Sequence, residues 1–102
     1  MQVLIVEPGQ EPRIANIAGT LKSMQETVGG YIQTVFPWRE DRVVLVCDEE
    51  GLLKDAAYNR TVAPGMHIFG TFFLCGYDDE DLTELTEKLA EKYRRILATQ
   101  GE

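Results

Sequence analysis

One histidine, two cysteines, two acidic runs and a single Asn-Arg pair carry most of the chemistry in this chain. His67 with Cys47 or Cys75 has the residue types of a thiol nucleophile and its base, which need hydrogen-bond reach of each other and a third group to orient them. His67 and Cys75 fall on one apparent strand, where a rise of about 3.3 Å per residue holds them too far apart. Cys47 with His67 remains open on spacing alone. A zinc site built from the same three residues would lack a fourth ligand, and a strand cysteine is more often a small buried hydrophobe.

The runs Asp48-Glu49-Glu50 and Asp78-Asp79-Glu80-Asp81 offer oxygen donors to a divalent cation, but neither has the spaced ligands of a calcium loop. A solvated turn accounts for the first, and a helix N-terminus, which attracts negative charge, accounts for the second. No metal and no cofactor is therefore expected. Asn59-Arg60 joins an amide to a cation able to grip a carboxylate or phosphate through two parallel bonds, or to pair with a neighbouring acid. Tyr31, Trp38, Tyr58 and Tyr77 combine an aromatic body with a polar tip, the composition of a binding face. The candidate ligand- or partner-binding set is thus Asn59, Arg60, Tyr31, Trp38 and Tyr58, with backbone groups near Gly9 and Gly70.

The adjacent glycines Gly29 and Gly30 do not suit a phosphate, because anions are held at the start of a helix and this pair closes one. The loop from Glu7 to Arg13 leads from a strand towards a helix start, yet it lacks the glycine spacings of nucleotide loops and carries two glutamates.

These residues must be positioned by a small set of elements. Gln2 to Glu7 reads as a strand, followed by the breakers Pro8, Gly9 and Pro12. Ile14, Ile17, Leu21, Met24 and Val28 recur every three or four residues and predict a helix from about Arg13 to Gly29. A strand from Tyr31 to Phe36 is confined to an edge or terminated by Pro37, and Arg42 to Cys47 forms a strand of β-branched residues. Residues 52–65 are hard to assign, with one short strand or helical turn near Lys54 to Tyr58. Met66 to Gly76 reads as one strand. The acidic run then opens a long helix with the stripe Leu82, Leu85, Leu89, Tyr93, Ile96 and Leu97.

Strands grouped between two helices predict an α+β fold: a mixed or antiparallel sheet of about four to five strands with both helices on one face. The length suits one domain over residues 1–102. Three strands are apolar on successive residues, as in sheets buried on both faces. Two helices on one side would leave the other face bare, to be covered by residues 52–65, by a ligand or by a second copy; a homo-oligomer is the expectation.

Seventeen acids against ten bases give a net charge of −7, which repels nucleic acid and attracts basic proteins or metal ions. The opening MQVLIVEP lacks the basic start and cleavage site of a signal peptide and is too short an apolar run to span a bilayer, so no membrane association and a cytoplasmic location are expected. Free thiols fit a reducing compartment.

The combination of VEPG, MQETVGGYI, VVLVCDEEG, the Asn59-Arg60 pair and GTFFLCG resembles an uncharacterised small-domain family of unknown function found on phages, prophages and conjugative elements of Gram-positive bacteria. The resemblance covers nearly the whole chain and implies a genomic setting rather than an activity, with no catalytic residue to transfer. It leads to the expectation of a non-enzymatic accessory binding protein that antagonises a host defence protein through an acidic surface. The alternative is a protein that binds or sequesters a nucleotide-like small molecule between subunits.

Overall fold

In the computed structural model, which describes residues 1–98, the chain runs β1 (Gln2–Val6), β2 (Arg13–Asn16), α1 (Leu21–Val28), β3 (Ile32–Val35), β4 (Val43–Asp48), β5 (Tyr58–Ala63), β6 (Met66–Phe69), β7 (Phe72–Tyr77), β8 (Leu82–Thr83) and α2 (Glu87–Ile96). Positions 99–102 of the expected domain lie outside the described residues. The main sheet has the order β2-β1-β7-β4-β3, with β8 added beside the end of β7; β5 and β6 form a separate two-stranded sheet, and every pairing is antiparallel.

The α+β class stands, with more strands than expected. Two stretches with helical spacing are in part extended. Arg13–Asn16 pairs with β1 from Gln2↔Asn16 to Ile5↔Arg13, and α1 begins only at Leu21 behind a Thr20 cap whose Oγ1 accepts from Ser23 N–H at 3.1 Å. Ile14 and Ile17 point to opposite faces of the sheet. A spacing of three puts residues on one side of a helix but on opposite sides of a strand. The same confusion recurs downstream, because Leu82 packs on one face and Leu85 on the other. Thr86 is the true cap of α2, accepting from Leu89 N–H at 3.3 Å, so the acidic run is a hairpin turn rather than a helix start.

Met66 to Gly76 also divides. Gly70, with φ +84°, breaks the run, so that β6 pairs with β5 and β7 enters the centre of the main sheet.

The two helices lie on opposite faces, not on one. Val3, Ile5, Val44, Val46, Phe73 and Cys75 pack with Met24 and Val28 of α1. The alternate residues Leu4, Val6, Val43, Leu45, Cys47, Phe72 and Leu74 pack with Ala90, Tyr93 and Leu97 around α2, and with Val62, Met66 and Ile68 from the β5–β6 hairpin. A ten-residue helix reaches only about 15 Å, and the hairpin covers apolar surface that α2 leaves. Both faces are therefore covered by the chain itself, which is why β4 is buried at every position. The second copy expected over a bare face loses its premise.

Candidate protein-interaction site

Asn59 and Arg60 are buried and held inside the fold. The Asn59 amide donates to Val6 O at 2.9 Å and to Gly70 O at 2.8 Å. Arg60 Nη1 donates to Asn59 Oδ1 at 2.8 Å and to Asn59 O at 3.2 Å, Nε to Leu97 O at 2.9 Å and Nη2 to Gln10 O at 2.7 Å. These bonds tie the hairpin to the end of β1, the β1–β2 turn and the end of α2. They satisfy carbonyls that would otherwise be desolvated without partners. Gly70 supplies one of those carbonyls, so Asn59, Arg60 and Gly70 come together as an internal clamp; Gly9 is only the chain neighbour of Gln10 on the exposed turn and makes none of these bonds.

The aromatic candidates separate. Trp38 packs on Tyr93 with ring centroids 4.6 Å apart. Tyr58 is exposed and donates or accepts within a chain to Thr61 Oγ1 at 2.6 Å, which in turn meets His67 Nδ1 at 2.7 Å. Tyr31, at the start of β3, is 68% exposed.

The glycine pair has a structural explanation. Gly29 closes α1 in the left-handed conformation, its N–H donating to Gln25 O at 2.8 Å. Lys54 Nζ donates to Gly29 O at 3.1 Å and pairs with Asp48 Oδ2 at 3.0 Å. A Cβ at Gly30 would lie 2.7 Å from Asp48 Oδ1, so only glycine admits this ion pair against the helix end.

The thiols are poor nucleophiles. Burial pushes the Cys75 thiol up to about 12, and burial reinforced by the Asp48 charge raises Cys47; a protonated thiol neither attacks nor binds metal. The two point to opposite faces of the sheet. Among the described residues no group of three or more His, Cys, Asp or Glu side chains is placed to hold a metal ion.

A different region gathers exposed groups. Adjacent residues of β3 face opposite ways, and a cleft opens on each side of it. On the α2 face, Gln33 and Val35 join Asp48, Glu49, Leu52 and His67 around a cleft of about 270 Å³. On the α1 face, Thr34 and Phe36 join Arg42, Tyr77 and the acidic turn 78–81 around an open groove of about 530 Å³. Phe36, 52% exposed, meets Tyr77 edge-on at 5.2 Å, and the Arg42 guanidinium lies 5.9 Å from the Tyr77 ring. Asp78 shapes the turn: its N–H donates to Asp81 O at 3.0 Å and its Oδ1 accepts from Asp81 N–H at 3.4 Å. Among the described residues Glu49, Glu50, Asp78, Asp79, Glu80 and Asp81 take part in no ion pair. Phe36 was absent from the candidate set, although a large apolar residue directly before Pro37 at the end of an edge strand was a usable signal.

Next to this groove, the loop after β3 is fastened to α2. Asp41 Oδ2 accepts from Lys92 Nζ at 2.6 Å and from Tyr93 Oη at 2.7 Å. The Lys92 bond, then the Tyr93 bond, hold the Asp41 carboxyl below its ordinary value; the same aspartate raises Lys92. Burial, then Asp41, raises Tyr93.

Residues 1–98 match the family described as Domain of unknown function (DUF3846). No curated protein and no solved structure matches the chain. No helix among the described residues is long and apolar enough to cross a membrane.

Proposed function

The chain belongs to the family described as Domain of unknown function (DUF3846), and we propose that it acts as a non-enzymatic accessory binding protein, engaging a basic host protein through the groove of Phe36, Tyr77 and the acidic turn 78–81. The setting we favour is a phage or other mobile element of Gram-positive bacteria, with a component of host defence as the partner. One observation carries this reading: an exposed Phe36, set edge-on against the half-buried Tyr77, stands beside consecutive acids that have no ion-pair partner among the described residues. Such a surface costs the folded state through self-repulsion and exposed apolar area, and a basic partner would relieve both.

The nucleotide-like ligand is less well supported, because the donors of Asn59 and Arg60 are already engaged by backbone carbonyls and by each other. Affinity purification from host cells tests the proposal, comparing the natural chain with a variant carrying Asp79→Lys, Glu80→Lys and Asp81→Lys. A basic protein retained by the first at low salt and lost by the second supports it. Recovery of the same proteins by both chains, or of none by either, rejects it.

A further inference from the structure

β3 is an open edge of the main sheet. Glu49 N–H donates to Tyr31 O at 2.8 Å, and in an antiparallel ladder this hydrogen-bonded pairing repeats at every second residue. Gln33 and Val35 therefore turn their backbone groups towards β4, whereas Ile32 and Thr34 turn theirs outward. Edge strands usually carry a charge, a bulge or a proline to prevent further pairing. β3 has no charged residue and pairs with β4 in unbroken register from Ile32↔Asp48 to Val35↔Leu45; Pro37 stands beyond its end. The opposite edge, β2, bears Arg13, which is ion-paired to Glu7 at 3.7 Å.

Resting on the binding reading above, we infer that β3 is an acceptor edge to which an extended, basic segment of the partner adds as a further strand. An added strand would take its backbone bonds from Ile32 and Thr34. Its side chains would alternate between the two clefts that flank β3, one edged by Glu49 and the other by Asp78, Asp79, Glu80 and Asp81. Charge selects the occupant. A second copy would bring another −7 and the same acids to the same edge, whereas a lysine or arginine meets acid whichever of the two faces it turns to.

The probe is a short synthetic peptide alternating arginine and valine, with a glutamate-valine peptide as control, titrated into the full chain while amide hydrogen exchange is followed residue by residue. Expected is binding by the basic peptide alone, weakening with salt, and protection of the Ile32 and Thr34 amides by at least about tenfold. Thr34→Pro removes an outward N–H at an edge position where proline is tolerated; it should weaken binding at least about tenfold, while Asn16→Ala, at an exposed position of the opposite edge strand β2, should not. The protection pattern of the natural chain decides the matter even where Thr34→Pro fails to fold.

Failure of the basic peptide to bind, or protection lying away from β3, overturns strand addition. Host-protein capture that survives Thr34→Pro but not the acidic-turn reversal leaves the binding reading standing and removes the edge. Peptide addition at β3 without any host capture does the reverse. A concentration-dependent dimer that Thr34→Pro dissolves makes the occupant a second copy and overturns the basic partner.

Discussion

The Asn59–Arg60 clamp and the β3 edge contain similar polar chemistry and put it to opposite uses. In the clamp an amide and a guanidinium are buried, with their bonds spent on Val6, Gln10, Gly70 and Leu97 carbonyls. At the edge, outward backbone groups, Glu49, Glu50 and the acids of the 78–81 turn face solvent, and among the described residues no ion pair reaches Glu49, Glu50, Asp79, Glu80 or Asp81. A cation among polar neighbours invites a functional reading from sequence. Saturation decides otherwise, since a group whose bonds are already made has little to offer a ligand, and breaking them leaves desolvated carbonyls.

The largest test of that contrast is Arg60→Met. Losing the bonds to buried carbonyls should cost about 3 kcal/mol, a fall in Tm of roughly 12–24 °C for a chain of this size, with peptide binding at β3 unchanged while the protein stays folded. A Tm within a few degrees of the natural chain would erase the distinction between the two regions. A nucleotide panel sharpens it: a ligand at a hundred times its Kd would stabilise by about 2.7 kcal/mol, and no thermal shift is expected with the clamp occupied by its own carbonyls.

Tyr93→Phe probes a case between the two, a hydroxyl that ties buried α2 packing to the loop after β3 through Asp41. It should cost about 1 kcal/mol by thermal or urea melting. Charge reversal at Asp79, Glu80 and Asp81 should leave stability within about 0.5 kcal/mol of the natural chain or raise it, while abolishing salt-dependent binding. A large destabilisation there would mean the turn is part of the scaffold.

The smallest effect is in the pH profile. Because the Asp41 carboxyl is held low by Lys92 and Tyr93, the folded state binds its proton less readily than the unfolded chain. Its contribution is present above the unfolded carboxylate value near 3.9 and is lost as pH falls through the lower folded value. Lys92 and Tyr93 are both raised, so their contribution is full below the unfolded values, about 10 for tyrosine and 10.4 for lysine, and fades as pH climbs through the folded ones. Asp41→Asn should flatten the acid limb of Tm against pH and soften the alkaline one; an unchanged acid limb would mean that the bonds of Asp41 to Lys92 and Tyr93 do not fasten the loop to α2.

Much of the fold was legible locally. β1, β4 and β7 declare themselves as unbroken apolar runs because strands covered on both faces have no polar alternation, and the same feature signalled that something must lie on each side. Gly29 announced a helix end. The helical spacings of Ile14 with Ile17, and of Leu82 with Leu85, misled because separation by three residues also places apolar groups on the two faces of an extended chain. Only the Thr20 and Thr86 caps distinguish the two cases locally, and each was hidden by the pattern around it.

By itself the sequence determined the α+β class, the central strands, the acidic surface and the identity of the reactive groups, all of which depend on residue type and near neighbours. The tertiary structure decided which face each helix covers, that the β5–β6 hairpin joins α2 over one side, and that Arg60 is spent internally while β3 stays open. Those outcomes depend on pairings between distant segments, such as Arg60 with Leu97 and Gln10, whose closure along the chain leaves no local signature in composition or period.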